Sequence, residues 1–102
     1  MTYGLTDSTI QKITNVLSGF EEVQEAIIYG SRVKGNFRPG SDIDLAFKGD
    51  QLNSTIVGRI DEQLDDLLLP YIFDLSIYHH ISNTALLEHI DRIGQKLYCS
   101  RQ

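Results

Sequence analysis

The chain has 102 residues, enough for one domain whose core is two layers deep. Apolar residues make up 41% and charged residues 23%, which argues against intrinsic disorder, and no apolar run approaches the ~20 residues of a membrane-spanning helix. A formal net charge of −5 disfavours direct nucleic-acid binding, which rests on many Lys and Arg contacts to phosphate.

Thr6 or Asp7 can cap a first helix over 8–18, where Ile10, Ile13, Leu17 and Phe20 recur at helical spacing. Gly19 stops it. Residues 26–29, Ala-Ile-Ile-Tyr, read as a short strand covered on both faces. Gly30 and Ser31 end that strand, and residues 31–34 form a helical turn closed by Gly35. Pro39, Gly40 and Ser41 form a second turn. In the strand predicted over 42–48, Ile43, Leu45 and Phe47 alternate with Asp42, Asp44 and Ala46. One face is therefore core and the other carries the acids. Asn53 or Ser54 caps a helix to about Leu68, with Leu52, Ile56, Ile60, Leu64 and Leu67 in its stripe. Gly58 interrupts that helix, which suggests a close packing contact there. Pro70 ends it. A third strand over 73–78 puts Phe73, Leu75 and Ile77 on one face and Asp74, Ser76 and Tyr78 on the other. Ser82 or Asn83 caps a last helix carrying Leu86, Leu87, Ile90, Ile93 and Leu97, interrupted by Gly94. The expected fold is α/β (α+β). It is a small mixed three-stranded sheet flanked by about four helices on one side, with the acid-bearing face partly open and one domain over 1–102.

Chemistry concentrates between Tyr29 and Leu45. Glycines let backbone amides approach an anion, so Gly30-Ser31 suits a phosphate cradle. Arg32, Lys34 and Arg38 put three of the nine basic residues in one seven-residue window beside it. Asp42 and Asp44, two apart on a strand, point to the same face. Asp74 stands in an otherwise apolar strand, where an acid costs β-propensity. If the second and third strands are neighbours with matching faces, the three carboxylates converge and repel one another. A divalent cation relieves that, and Mg²⁺ suits carboxylate oxygens together with substrate phosphates. The Cys and His ligands typical of zinc are missing from this pattern.

Gly30-Ser31-Arg32, Ser41-Asp42-Ile43-Asp44-Leu45 and Phe73-Asp74-Leu75 together resemble the signature of the DNA polymerase beta-like nucleotidyltransferase superfamily. The length is similar to that of its minimal nucleotidyltransferase (MNT) branch. The resemblance implies that Asp42 and Asp44 bind two Mg²⁺ ions, that Asp74 binds one of them and helps activate an acceptor hydroxyl, and that Gly30 and Ser31 hold the β- and γ-phosphates of ATP. It casts Arg32 as a phosphate clamp, since a planar guanidinium suits phosphate oxygens. Proteins of that branch are often paired with a helical HEPN-domain toxin, to whose tyrosines they transfer AMP as antitoxins. A partner protein or a homo-oligomer would supply what a second domain supplies elsewhere. The rival expectation is a non-catalytic module that binds toxin or nucleotide.

Residues 1–7 have no basic residue and no apolar segment of a secretory leader, and a single cysteine, Cys99, fits a cytoplasmic protein. His79 and His80 are adjacent at a strand end and make a poor chelate. His89 in the last helix reads as a surface residue.

Overall fold

The computed structural model of the chain describes residues 2–100. Its elements run α1 (Asp7–Ser18), β1 (Glu25–Tyr29), α2 (Ser31–Lys34), β2 (Ile43–Lys48), α3 (Ser54–Asp65), β3 (Phe73–Ile77), a 3₁₀ turn (Tyr78–His80), α4 (Thr84–Ile93) and β4 (Gln95–Cys99). The sheet order is β3-β2-β1-β4. β1 is antiparallel to both β2 and β4, whereas β2 and β3 are parallel. A parallel pair needs a long crossover, and α3 is that crossover.

Each of the three longer helices begins at a side-chain cap, which satisfies one amide the helix itself leaves unpaired. Thr6 Oγ1 accepts from the Thr9 N–H at 3.1 Å, Asn53 Oδ1 from Ile56 at 2.9 Å and Asn83 Oδ1 from Leu86 at 3.1 Å. The alternation read in β2 holds. Ile43, Leu45 and Phe47 are fully buried, in one cluster with Ile13 and Leu17 of α1 and Ile60 and Leu64 of α3. Each such side chain contributes about 1.5–3 kcal/mol on burial. Thus α1 and α3 cover one face of the sheet.

The mixed sheet and its four helices agree with the fold class expected from the sequence, but the sheet has four strands rather than three. The stretch 95–99 is β4, not the end of a helix. α4 stops at Gly94, whose ψ of 148° leaves the helical region. The register of β4 on β1 shifts between Ala26 and Ile27. Leu97 and Tyr98, adjacent in sequence, both pack on the larger core, so the usual alternation is lost. A second difference concerns layers. α4 lies on the acid-bearing face, where Ile90 packs with Tyr29 and Ala46. Helices therefore flank both faces, and Asp42 and Asp74 remain exposed. Three boundaries are shorter than read. β2 starts at Ile43, leaving Asp42 just ahead of it. α3 ends at Asp65, with Leu68 at a positive φ of 56°, and β3 ends at Ile77.

Gly58 lies inside α3 at a cost of about 1 kcal/mol relative to Ala. It does not mark close packing: a Cβ placed there would meet no heavy atom within 4 Å. No helix among the described residues is long and apolar enough to cross a membrane.

The caps give a direct check. Asn53→Ala should lower stability by about 1 kcal/mol. In urea denaturation the midpoint falls while the slope is unchanged, and Asn53→Asp stays close to the parent protein.

Candidate active site

Three neighbouring strands bring the candidate residues into one row. Tyr29 of β1 is the partner of Asp44 on β2, and Asp44 is the partner of Asp74 on β3. Asp42 lies just ahead of β2, close enough that its charge acts on the Asp44 carboxyl. Asp42 and Asp74 are exposed, and Asp44 is half-buried. Burial, then the charges of Asp74 and Asp42, push the Asp44 carboxyl up to about 6. The one ion pair among the described residues, Lys96 with Glu25, lies on β4 and β1 and leaves these acids unneutralised. Among the described residues no three acid, His or Cys side chains are drawn together as a closed metal site. Hard oxygen donors on one face, one already disfavoured as a bare anion, fit a hard divalent cation such as Mg²⁺.

Gly30 follows Tyr29 directly. Its φ of 81° and ψ of −152° belong to glycine alone, and a Cβ there would run into Asp44 Oδ2. The chain thus turns against the central carboxylate. The Val33 and Lys34 amides donate to the Gly30 carbonyl at 3.2 and 3.1 Å, which starts α2 at Ser31. The Gly30 amide donates to His89 Nε2 at 3.2 Å. The His89 ring also meets the edge of Tyr29, with centroids 6.0 Å apart and planes at 80°. To accept there, His89 must be neutral with its proton on Nδ1. Sequence reasoning placed His89 on the surface, yet it is only partly exposed. A signal existed: Leu86 and Ile93 lie three and four residues away, on the same helical face. Tyr29 itself is buried. Burial raises its hydroxyl pKa, a hydrogen bond with Ser76 lowers it, and the charges of Asp44 and Asp74 raise it again.

Arg32 sits elsewhere than at a solvent-facing anion site. It is only 3% exposed. Its Nε and Nη2 donate to the Ser41 carbonyl at 3.2 and 2.8 Å, and its Nη1 to the Tyr3 carbonyl at 3.0 Å. The guanidinium carbon lies 5.2 Å from the Phe37 ring centroid and 4.8 Å from that of Tyr71. Arg32 thereby ties the N-terminal turn to the residue preceding Asp42. The loop is closed further by Ser41 Oγ, which accepts from the Arg38 amide at 2.7 Å. Lys34 and Arg38 are the exposed cations beside the cradle.

The family model described as "Polymerase beta, Nucleotidyltransferase" matches residues 11–102. No curated protein sequence matches the chain. Among solved structures, a chain of a toxin–antitoxin complex with AMP-PNP has a TM-score of 0.71 and 23% identity, covering 96% of this chain and 77% of that one. A chain of the toxin–antitoxin MntA–HepT follows with 0.68 and 21%, covering 93% and 74%. A chain of the Shewanella oneidensis complex of a tri-AMPylated HEPN toxin with an MNT antitoxin has 0.69 and 19%, covering 94% and 74%. These likenesses establish a shared fold.

Two outcomes follow from the site's electrostatics and bracing. In protein kept free of metal with a chelator, folded Asp44 holds its proton more tightly than the unfolded chain does. Its effect on stability is therefore most favourable below the ordinary value of 3.8 and worsens as pH rises through about 6. Asp44→Asn removes that loss. Its thermal midpoint should exceed that of the parent near pH 8, by a margin that shrinks toward pH 4; a constant margin would contradict the environment described. Arg32→Lys cannot reach both carbonyls and should destabilise by about 1–3 kcal/mol, nearly as much as Arg32→Ala. Chemical denaturation of both variants measures this.

Proposed function

This chain belongs to the polymerase beta nucleotidyltransferase family, and we propose that it transfers AMP from ATP to a protein hydroxyl, a tyrosine of a HEPN-domain toxin, and so acts as an antitoxin. The observation that carries the proposal is the row Gly30–Asp44–Asp74. A glycine turn abuts the central carboxylate, and the next strand supplies another carboxylate in register. The neighbours support the choice of nucleotide and acceptor. One complex was solved with AMP-PNP, and another contains a tri-AMPylated HEPN toxin beside an MNT antitoxin. The free, exposed Cys99 is compatible with action in the cytoplasm, where ATP is supplied.

Asp42, Asp44 and Asp74 would hold two Mg²⁺ ions, Asp74 sharing one of them. When bound, such ions neutralise the carboxylates and the charge that develops on the phosphates. The chain's own residues position the reaction. Gly30 and Ser31 hold the β- and γ-phosphates, Gly30 by the close approach its missing side chain permits and Ser31 by its amide and hydroxyl, while His89 keeps the turn in place through the Gly30 amide. Arg32 fixes the Ser41 carbonyl and hence the entry to Asp42. Lys34 and Arg38 face the solvent side of the phosphates. The acceptor oxygen bonds to the α-phosphorus as the bond from that phosphorus to the bridging oxygen breaks. AMP stays on the acceptor and pyrophosphate leaves. The hydroxyl proton passes to the Asp74 carboxylate and then to water. Most of the catalysis is positioning and charge stabilisation, as for phosphoryl transfer generally.

The test uses labelled ATP, Mg²⁺ and a HEPN-domain toxin as the acceptor. The parent protein should label that partner. Asp42→Asn combined with Asp44→Asn should reduce labelling at least about 10³-fold, ~4 kcal/mol of transition-state stabilisation, while complex formation persists. Full protection of cells by the double variant would mean that covering the toxin, not transfer, is the protective act.

A further inference from the structure

Gly58 weakens the α3 helix without a conformational or packing need. Its φ is not positive, and the space where its side chain would stand is open. That space is a groove of about 700 Å³ between α3 and β3, within the range typical of ligand pockets, roughly 300–1,000 Å³. Phe73 and Leu75 supply apolar lining, Gly58 and Asp61 belong to the α3 side, and Asp42 and Asp74 join the groove to the transfer site. A smaller cleft of about 260 Å³ shares Asp61 and Phe73 and adds Asp65. Ile72, 70% exposed, lines both. Four carboxylates thus border the two clefts, and among the described residues no Lys or Arg lines either. β3 is also an edge of the sheet, so it presents unpaired backbone groups on the side away from β2.

The strand order gives the groove a direction. The Gly30 turn lies at the end of β1, the acids lie on β2 and β3, and the groove lies beyond them at the β3 edge. An in-line transfer needs the attacking oxygen opposite the leaving pyrophosphate. With the pyrophosphate held at the β1 side, attack comes from the β3 side. We propose that the α3–β3 groove seats an extended, basic segment of the protein acceptor, with an apolar side chain over Gly58, a Lys or Arg against Asp61 and Asp65, and the reactive hydroxyl delivered to Asp74. The acceptor's basic character follows from charge complementarity with a rim that carries four carboxylates and, among the described residues, no Lys or Arg. The open apolar floor and the free strand edge suit an extended polypeptide rather than a compact polar solute. The proposal rests on the transfer reading above, and its test separates the two.

Gly58→Leu fills the groove and also improves the helix, so the variant folds. Two short synthetic peptides serve as probes, each with a central tyrosine, one flanked by arginines and the other by glutamates. Binding to the protein with AMP-PNP and Mg²⁺ is followed by fluorescence anisotropy, and labelling from ATP is followed in parallel. The parent protein should bind the Arg-flanked peptide at least tenfold more tightly than the Glu-flanked one. Gly58→Leu should weaken that binding at least tenfold and leave the affinity for AMP-PNP within twofold. Asp61→Lys with Asp65→Lys should erase or reverse the charge preference. Loss of nucleotide affinity in Gly58→Leu with peptide binding intact would overturn the proposal and place the base in the groove. No effect of Gly58→Leu on either ligand would also overturn it. Selective peptide binding that Gly58→Leu abolishes, with no labelling by the parent protein, would leave the groove standing and sink the transfer reading instead.

Discussion

The parallel register of β2 on β3 is the constraint on which the site depends. It sets Ile43 beside Phe73, Asp44 beside Asp74 and Leu45 beside Leu75. A slip of one residue would place each acid next to an apolar neighbour and turn β2's buried residues toward solvent. Opposed like charges weaken a strand pair by up to about 1 kcal/mol. Burying Ile43, Leu45 and Phe47 contributes about 1.5–3 kcal/mol each. The apolar face therefore wins the register, and the acids are held in a row that they would not choose for themselves. The core of this small protein is in that sense part of its chemistry.

The other end of the row is fastened by different means. Gly30 is limited by Asp44 on one side and by the His89 imidazole on its amide. His89 is delivered by α4, whose buried Ile90 packs on Tyr29 and Ala46. The loop leading to Asp42 is fixed by a chain of contacts from the Tyr3 carbonyl through Arg32 to the Ser41 carbonyl. Both attachments reach across long sequence distances, and neither depends on a long flexible side chain in solvent. Groups aimed in advance at a developing charge need little reorganisation during reaction, which is where electrostatic catalysis gains most.

The parts legible in the sequence are those written in a local period. Ile43, Leu45 and Phe47 alternate with the acids, and β3 repeats the pattern around Asp74. The stripes of α1 and α3 follow the same logic at helical spacing, and Thr6, Asn53 and Asn83 announce their helices. From these patterns alone Asp42, Asp44 and Asp74 fall on polar faces, and the parallel pairing brings the latter two together. What was not legible depends on partners far along the chain. A helix's own period says which of its faces is buried but not which face of the sheet it covers, so α4 was placed on the wrong side. β4 was hidden because a bulge packs adjacent Leu97 and Tyr98 against one core. Arg32 beside a glycine turn looks like a phosphate ligand, and only the fold shows that two distant carbonyls occupy it.

The same repulsion that costs stability also shapes how the site can fill. Two unit charges about 4 Å apart interact with ~4 kcal/mol at an effective dielectric of 20. A triphosphate approaching Asp42, Asp44 and Asp74 would meet several such interactions. Lys34 and Arg38 lie exposed, where solvent and salt screen their attraction. They cannot offset the acids alone. The nucleotide and the carboxylates can share this face only with positive charge between them. On the proposed reading, affinity for the nucleotide and affinity for a divalent cation are coupled through Asp44, the most buried of the three acids, whose carboxyl is pushed up by burial and by its neighbours. A protein that bound the triphosphate without the cation would need a basic site, and the fold directs Arg32, the one buried arginine among the described residues, to the loop that carries Asp42 instead.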